Sequence, residues 1–142
     1  MPAERPISTY VPPETCILVG IDTGAGDWTV DSSLDELGRL AETAGAVPVG
    51  RLTQRLDHPI PKTFLGSGKV QELKELAESL DADVIVFDNE LSPSQQANLE
   101  RLLGMKFKII DRTALILDIF GMHAKTHEGK LQVQMAQLQY LY

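Results

Sequence analysis

Gly66-Ser67-Gly68-Lys69 brings together the residue types that hold phosphate. Glycines let backbone amides approach an anion, a helix start favours negative charge, and a lysine adds a cation. A nucleoside-triphosphate loop needs G-x-x-x-x-G-K-[ST], long enough to wrap the phosphates and ending in a hydroxyl for the metal. Here a single residue separates the two glycines, and Val70 stands where the hydroxyl belongs. Gly66, Ser67, Gly68 and Lys69 are therefore candidates for a simpler nucleotide contact at a helix start. The competing reading is a glycine-eased turn capped by Ser67. Asp22, Asp57, Asp88 and Asp111 form a second set, each at or just past the end of an apolar run. On one edge of a parallel sheet they could gather around Mg²⁺, as in a phosphoacceptor site. Aspartate also favours loops and helix caps, and no ligand triad is spaced to confirm a metal.

His123 and His127 are four apart, a usable metal-ligand spacing on a helix, but Gly129 disturbs that geometry and no third ligand accompanies them. With His58 they read as surface histidines. No catalytic residue and no metal site is expected. Cys16 lies in an apolar run and reads as a small core residue. Trp28 and the other aromatics are too dispersed for a base-stacking row. The cations Lys62, Lys69, Arg112, His123, Lys125, His127 and Lys130 fall near the helix-start loop or near the last helical junction. Such a cluster in an acidic chain could touch RNA phosphate or could be an ordinary solvated surface. Lys62, Lys69, Arg112, His123, Lys125 and Lys130 are the candidate nucleic-acid contacts.

These residues depend on the elements around them. Thr15–Asp22 and Val84–Asp88 are continuous apolar runs, the mark of strands buried on both faces. Val47–Gln54 reads as a strand whose Pro48 cannot donate to a ladder, which places it at a sheet edge. Lys106–Asp111 reads as a fourth strand. Between them run helical stripes. The first is Leu34, Leu37, Leu40, Ala41 and Ala44, behind a Ser33/Glu36 capping-box pattern and before Gly45. The second is Val70, Leu73, Leu76, Ala77 and Leu80, and the third is Leu99, Leu102 and Leu103 after Ser92-Pro93-Ser94-Gln95. Strands alternating with helices imply an α/β fold, and right-handed crossovers reduce the topologies to a four-stranded parallel sheet of order 2-1-3-4.

The chain of 142 residues suits one core, and its 43% hydrophobic content suits a globular domain. No apolar run approaches the roughly 20 residues of a membrane span, and MPAERPISTY has no signal-peptide core. The single cysteine excludes an internal disulfide and suits a reducing cytoplasm. A net charge of -7 argues against broad electrostatic binding to nucleic acid. The expected organisation is a loose proline-bearing leader at 1–14, an α/β domain at 15–124 and the start of a helical subdomain at 125–142.

Asp111–Tyr142 organises the rest. Leu115, Ile116, Ile119 and Phe120 recur at helical spacing, and Leu117 and Met122 widen that stripe nearly all round. Leu131, Met135, Leu138 and Tyr142 then form the narrower seam of a helix that lies lengthwise on another. DRTALILDIF and AKTHEGKLQVQMAQLQYL resemble the N-terminal domain of the HflX family of ribosome-associated GTPases. KTFLGSGKVQEL and VIVFDNELSPSQQANLE match two further family stretches in the same order, so the resemblance runs from about Cys16 to Tyr142. The family pattern has alanine, arginine and glutamate where this chain has Gly121, Ala97 and Gln134, departures that touch helix stability and surface charge. The resemblance implies a module that binds the large ribosomal subunit and its rRNA, with a G domain whose GTP and Mg²⁺ chemistry acts on stalled or idle ribosomes. It also implies that residues 125–142 begin one arm of a helical hairpin, with the returning arm and the G domain beyond. On its own the chain is then expected to be no enzyme and to use no cofactor, and a dimer through residues 131–142 is a further expectation. A small-ligand or adenine-nucleotide domain, built on the strand-end aspartates and the Gly66–Lys69 loop, is the alternative.

Overall fold

The computed structural model describes residues 12–26 and 28–126. Four strands, β1 (Thr15–Asp22), β2 (Val47–Arg55), β3 (Val84–Phe87) and β4 (Lys108–Asp111), form one sheet in the order β2-β1-β3-β4. All three pairings are parallel. Helices α1 (Val30–Thr43), α2 (Ser67–Ser79), α3 (Pro93–Leu103) and α4 (Arg112–Thr126) follow the strands in turn. This is the fold and strand order expected from the sequence.

Alternation along the central strands builds two cores. Ile17 and Val19 of β1, with Ile85 and Phe87 of β3, face α2 and α3. Cys16 and Leu18, with Val84 and Val86, face Leu34, Leu37 and Ala41 of α1 and Leu115 of α4. Because side chains on a strand alternate in direction, apolar residues at every position commit both faces to burial. β2 lies at the edge, and its Pro48 pairs with Cys16 where the register shifts, so the missing donor coincides with a bulge.

Two helix starts differ from expectation. The pattern Ser33/Glu36 predicts an N-terminus there, but α1 begins earlier. Thr29 is its N-cap and its hydroxyl accepts from the Ser32 amide at 3.0 Å. Ser33 therefore lies inside the first turn, where its side chain is free for a distant partner. At α2 the cap is Gly66 rather than Ser67, and no side chain caps it. Gln54 supplies the local bond instead, its Oε1 accepting from the Gly66 amide at 2.9 Å. The third start is as expected. Ser92 and Gln95 complete a reciprocal capping box, Pro93 opens α3 and Gly104 ends it at φ 96°.

α4 is held mainly at its beginning. Asp111 Oδ1 accepts from the Ala114 amide at 2.9 Å, and Leu115 is buried. Farther along, Ile116, Leu117 and Phe120 are exposed although the sequence stripe suggests a helix apolar on most sides. Among the described residues no helix is long and apolar enough to cross a membrane. The helical seam from Leu131 to Tyr142 and the leader before Pro12 lie outside the described residues.

Candidate functional site

Parallel strands deliver Asp22, Asp88 and Asp111 to one edge of the sheet, where ligands bind in open α/β folds. The chain leaves β1 toward β2 on one side and β3 toward β4 on the other, so a crevice opens between the ends of β1 and β3. Its volume is about 250 Å³, and Asp22, Ser33, Asp88 and the exposed Trp28 contribute to its wall. This is the place where a small ligand would be expected.

The side chains there have structural occupations. Asp22 Oδ1 accepts from the Gly24 amide at 2.9 Å, closing a short turn in which Gly24 has φ 75°. A side chain at Gly24 would meet the Arg55 guanidinium at 2.6 Å, which that flexible side chain can relieve by moving, so the positive φ is what calls for glycine. Asp111 bonds the amides of Ala114 and Leu91, each at 2.9 Å. Asp57 lies 3.5 Å from Arg55 on the surface. Among the described residues no group of three His, Cys, Asp or Glu is arranged to hold a metal ion.

Asp88 has its side chain well enclosed, 8% exposed. Arg112 meets it through Nη2 at 2.5 Å and Nε at 3.1 Å, and Ser33 donates its hydroxyl to the other carboxylate oxygen at 2.5 Å. Arg112 also pairs with Glu36 at 2.8 Å and donates to the Ser33 carbonyl at 3.2 Å. Burial alone would lower the Arg112 pKa. The hydrogen bonds and charge of Asp88, followed by those of Glu36, outweigh burial and raise it. The guanidinium on the first residue of α4 thus ties the residue just after β3 to the first turns of α1. Ser33 and Glu36, whose spacing imitates a capping box, belong to this cluster.

The phosphate-like stretch is also committed to the fold. The Gly66 amide is bonded to Gln54, and Lys69 forms an ion pair with Glu72 at 3.1 Å. Just before it, residues 60–65 make a compact plug. Phe64 adopts φ 68° and is buried, meeting Phe87 edge-on with ring centroids 5.4 Å apart. Ile60 and Phe64 bond each other's backbones at 3.0 and 2.7 Å. Gln95 and Asn98 of α3 donate to the carbonyls of Ile60 and Lys62 at 2.9 and 3.0 Å. Gln54, Gln95 and Asn98 were invisible as organisers in the sequence. Only the Ser92/Gln95 spacing offered a signal, and it pointed to capping alone.

The candidate cations are not one surface patch. Lys62 and Lys69 accompany the α2–α3 layer, whereas Arg112 belongs to the α1–α4 layer. Arg112 is occupied internally. The backbone of His123 and Lys125 belongs to the end of α4, while His127 and Lys130 lie outside the described residues. His58 is exposed in the turn after β2.

Known proteins resemble the chain in sequence and in fold. The family described as GTP-binding GTPase N-terminal matches residues 31–121. GTPase HflX of Lacrimispora saccharolytica is 49% identical over 127 residues, which cover 89% of this chain and 29% of that relative. GTPase HflX of Escherichia coli is 47% identical over 108 residues, covering 76% of this chain and 25% of that relative. The chain thus spans between a quarter and a third of the length of these curated relatives. A crystal structure of a GTP-binding protein from Sulfolobus solfataricus in complex with GDP shares the fold. Its TM-score is 0.59 at 23% identity, with 89% of this chain and 36% of that chain covered. The family match runs from the first turn of α1 into α4, through both layers of the sheet, and the chain belongs to the N-terminal domain family of HflX GTPases.

Proposed function

We propose that this domain is the ribosome-docking module of an HflX-type GTPase. It binds the large ribosomal subunit through rRNA phosphates and positions a G domain, which uses GTP and Mg²⁺ to act on stalled or idle ribosomes in the cytoplasm. The observation that carries the reading is family membership across the domain. The occupied edge residues support it: Asp88 is neutralised by Arg112, and the Gly66–Lys69 stretch is tied to Gln54 and Glu72. An edge engaged in this way favours a scaffold over the small-ligand alternative. Lys62, His123, Lys125 and Lys130 supply phosphate contacts in this reading, Lys69 stays paired with Glu72, and Arg112 acts by fixing α4. The hairpin subdomain begun by residues 125–142 carries the basic junction toward RNA.

The test is binding of the chain to purified large subunits over a range of salt, beside ATP and GTP titrations. Changing Lys125 and Lys130 together to Glu should weaken binding and flatten its salt dependence, because fewer counterions are released. The pure chain should turn over no GTP, since it lacks G-x-x-x-x-G-K-[ST]. Stoichiometric nucleotide binding without subunit binding would overturn the proposal in favour of a small-ligand domain.

A further inference from the structure

At the opposite end of the sheet from the aspartates, a gap opens between α1 and α4. The resulting groove has a volume of about 380 Å³. Ile110 and the buried core residues Val84 and Val86 form its floor, with Ala44 at the C-terminal end of α1 and Leu117 of α4 on its walls. The groove walls carry little bulk, since Ala41, Ala46 and Gly121 also line it. Glu14 and Asp118 mark its acidic rim, where Lys108 lies 3.8 Å from Asp118. Glu42 adds negative charge nearby, because it and Glu14 both act on buried Cys16.

We propose that this groove seats the chain's own N-terminal segment, with Tyr10 and Val11 over the apolar floor and Arg5 at the acidic rim. Glu14 is itself part of the rim, so the segment before it starts at the groove. An extended chain spans at most about 3.3–3.6 Å per residue, which keeps Tyr10 within roughly 14 Å of Glu14. Such a short tether replaces a bimolecular encounter with an intramolecular one at high effective concentration. Pro6, Pro12 and Pro13 restrict the segment's backbone and reduce the entropy lost when it docks. Ile7, Tyr10 and Val11 supply apolar side chains, and Arg5 complements Glu14 and Asp118.

Shape favours this occupant over the helical seam at 131–142. A helix with its side chains is about 10–12 Å across. α1 and α4 touch one another beside the groove, and its volume of about 380 Å³ takes a few side chains rather than a helix of that breadth. Docking would brace α4 beyond Leu115, where its own packing gives out.

The test uses the full chain with Tyr10 and Val11 both changed to Asp. These residues precede β1 in sequence, and the substitution changes no residue of either described core. Backbone amide shifts and hydrogen exchange are compared with the native chain. The expected result is a change at Ala41, Ala44, Leu117 and Gly121, with exchange in the second half of α4 accelerated about tenfold. Arg5→Glu should produce a smaller change at the same amides, diminished by salt. Unchanged groove amides would overturn the proposal. So would groove amides that move with protein concentration, which indicates a second copy. Movement on changing Leu131 and Leu138 to Glu, with no response to the leader variants, would assign the groove to the C-terminal segment.

Discussion

Replacing Arg112 by Met separates a strut from an RNA contact. Methionine keeps much of the aliphatic length and removes the charge and donors. Asp88, 8% exposed, is then left as a buried carboxylate whose remaining hydrogen-bond partner among the described residues is the Ser33 hydroxyl. Breaking a buried ion pair by deleting one member costs about 3–5 kcal/mol. The Arg112 side chain is 24% exposed, so water relieves part of this and about 3 kcal/mol is expected. Glu36 is 49% exposed, and Glu36→Ala should cost well under about 1 kcal/mol. Urea unfolding followed by circular dichroism reads both. With a slope of about 1.5 kcal/mol/M, the Arg112→Met midpoint should fall by roughly 2 M. Adding Asp88→Asn should recover part of the loss, because the uncompensated charge is gone. A cost below about 1 kcal/mol for Arg112→Met, together with weaker binding to the large subunit, would refute the strut and make Arg112 an RNA contact.

Three other outcomes are expected. Burial, with smaller contributions from Glu14 and Glu42, pushes the Cys16 thiol up to about 11 from an ordinary 9.0. Its folded pKa lies above its unfolded one, so the associated stability is intact below pH 9 and is lost as pH rises toward 11. Cys16→Ala should flatten that part of a pH–stability curve. Ser92→Ala should cost about 1 kcal/mol in chemical denaturation, because the Gln95 amide loses its cap. Finally, the seam Leu131, Met135, Leu138 and Tyr142 should promote concentration-dependent dimers in sedimentation experiments. A strict monomer at high concentration, unaffected by changing Leu131 and Leu138 to Glu, removes that dimer.

The sheet was legible because its cues were local and mutually consistent. Continuous apolar residues from Cys16 to Val19 and from Val84 to Phe87 require cover on both faces, and Pro48 requires an edge. Ser92 and Gln95 formed the expected box, whereas the same spacing at Ser33 and Glu36 served a different purpose. Spacing alone does not distinguish those two pairs. The difference is Thr29, which starts α1 earlier, and Arg112, which is 79 residues from Ser33. The candidate site was harder still. Strand order predicts where the aspartates gather, but it does not predict that backbone amides and Arg112 already occupy Asp22, Asp88 and Asp111. Phe64 was missed because a left-handed phenylalanine opposes local preference and persists only through surrounding contacts.

The plug around Phe64 also bears on the order in which the chain acquires its structure. Its anchors are 35 and 36 residues downstream, at Gln95 and Asn98. Until β3 and α3 are in place, the left-handed backbone at Phe64 lacks its Phe87 contact and the plug lacks the Gln95 and Asn98 bonds that hold it. During synthesis, the segment between β2 and α2 must therefore wait for α3 to emerge before it can close. The α2–α3 layer should mature as one cooperative unit, with the β2–α2 connection among its last parts to gain protection from exchange.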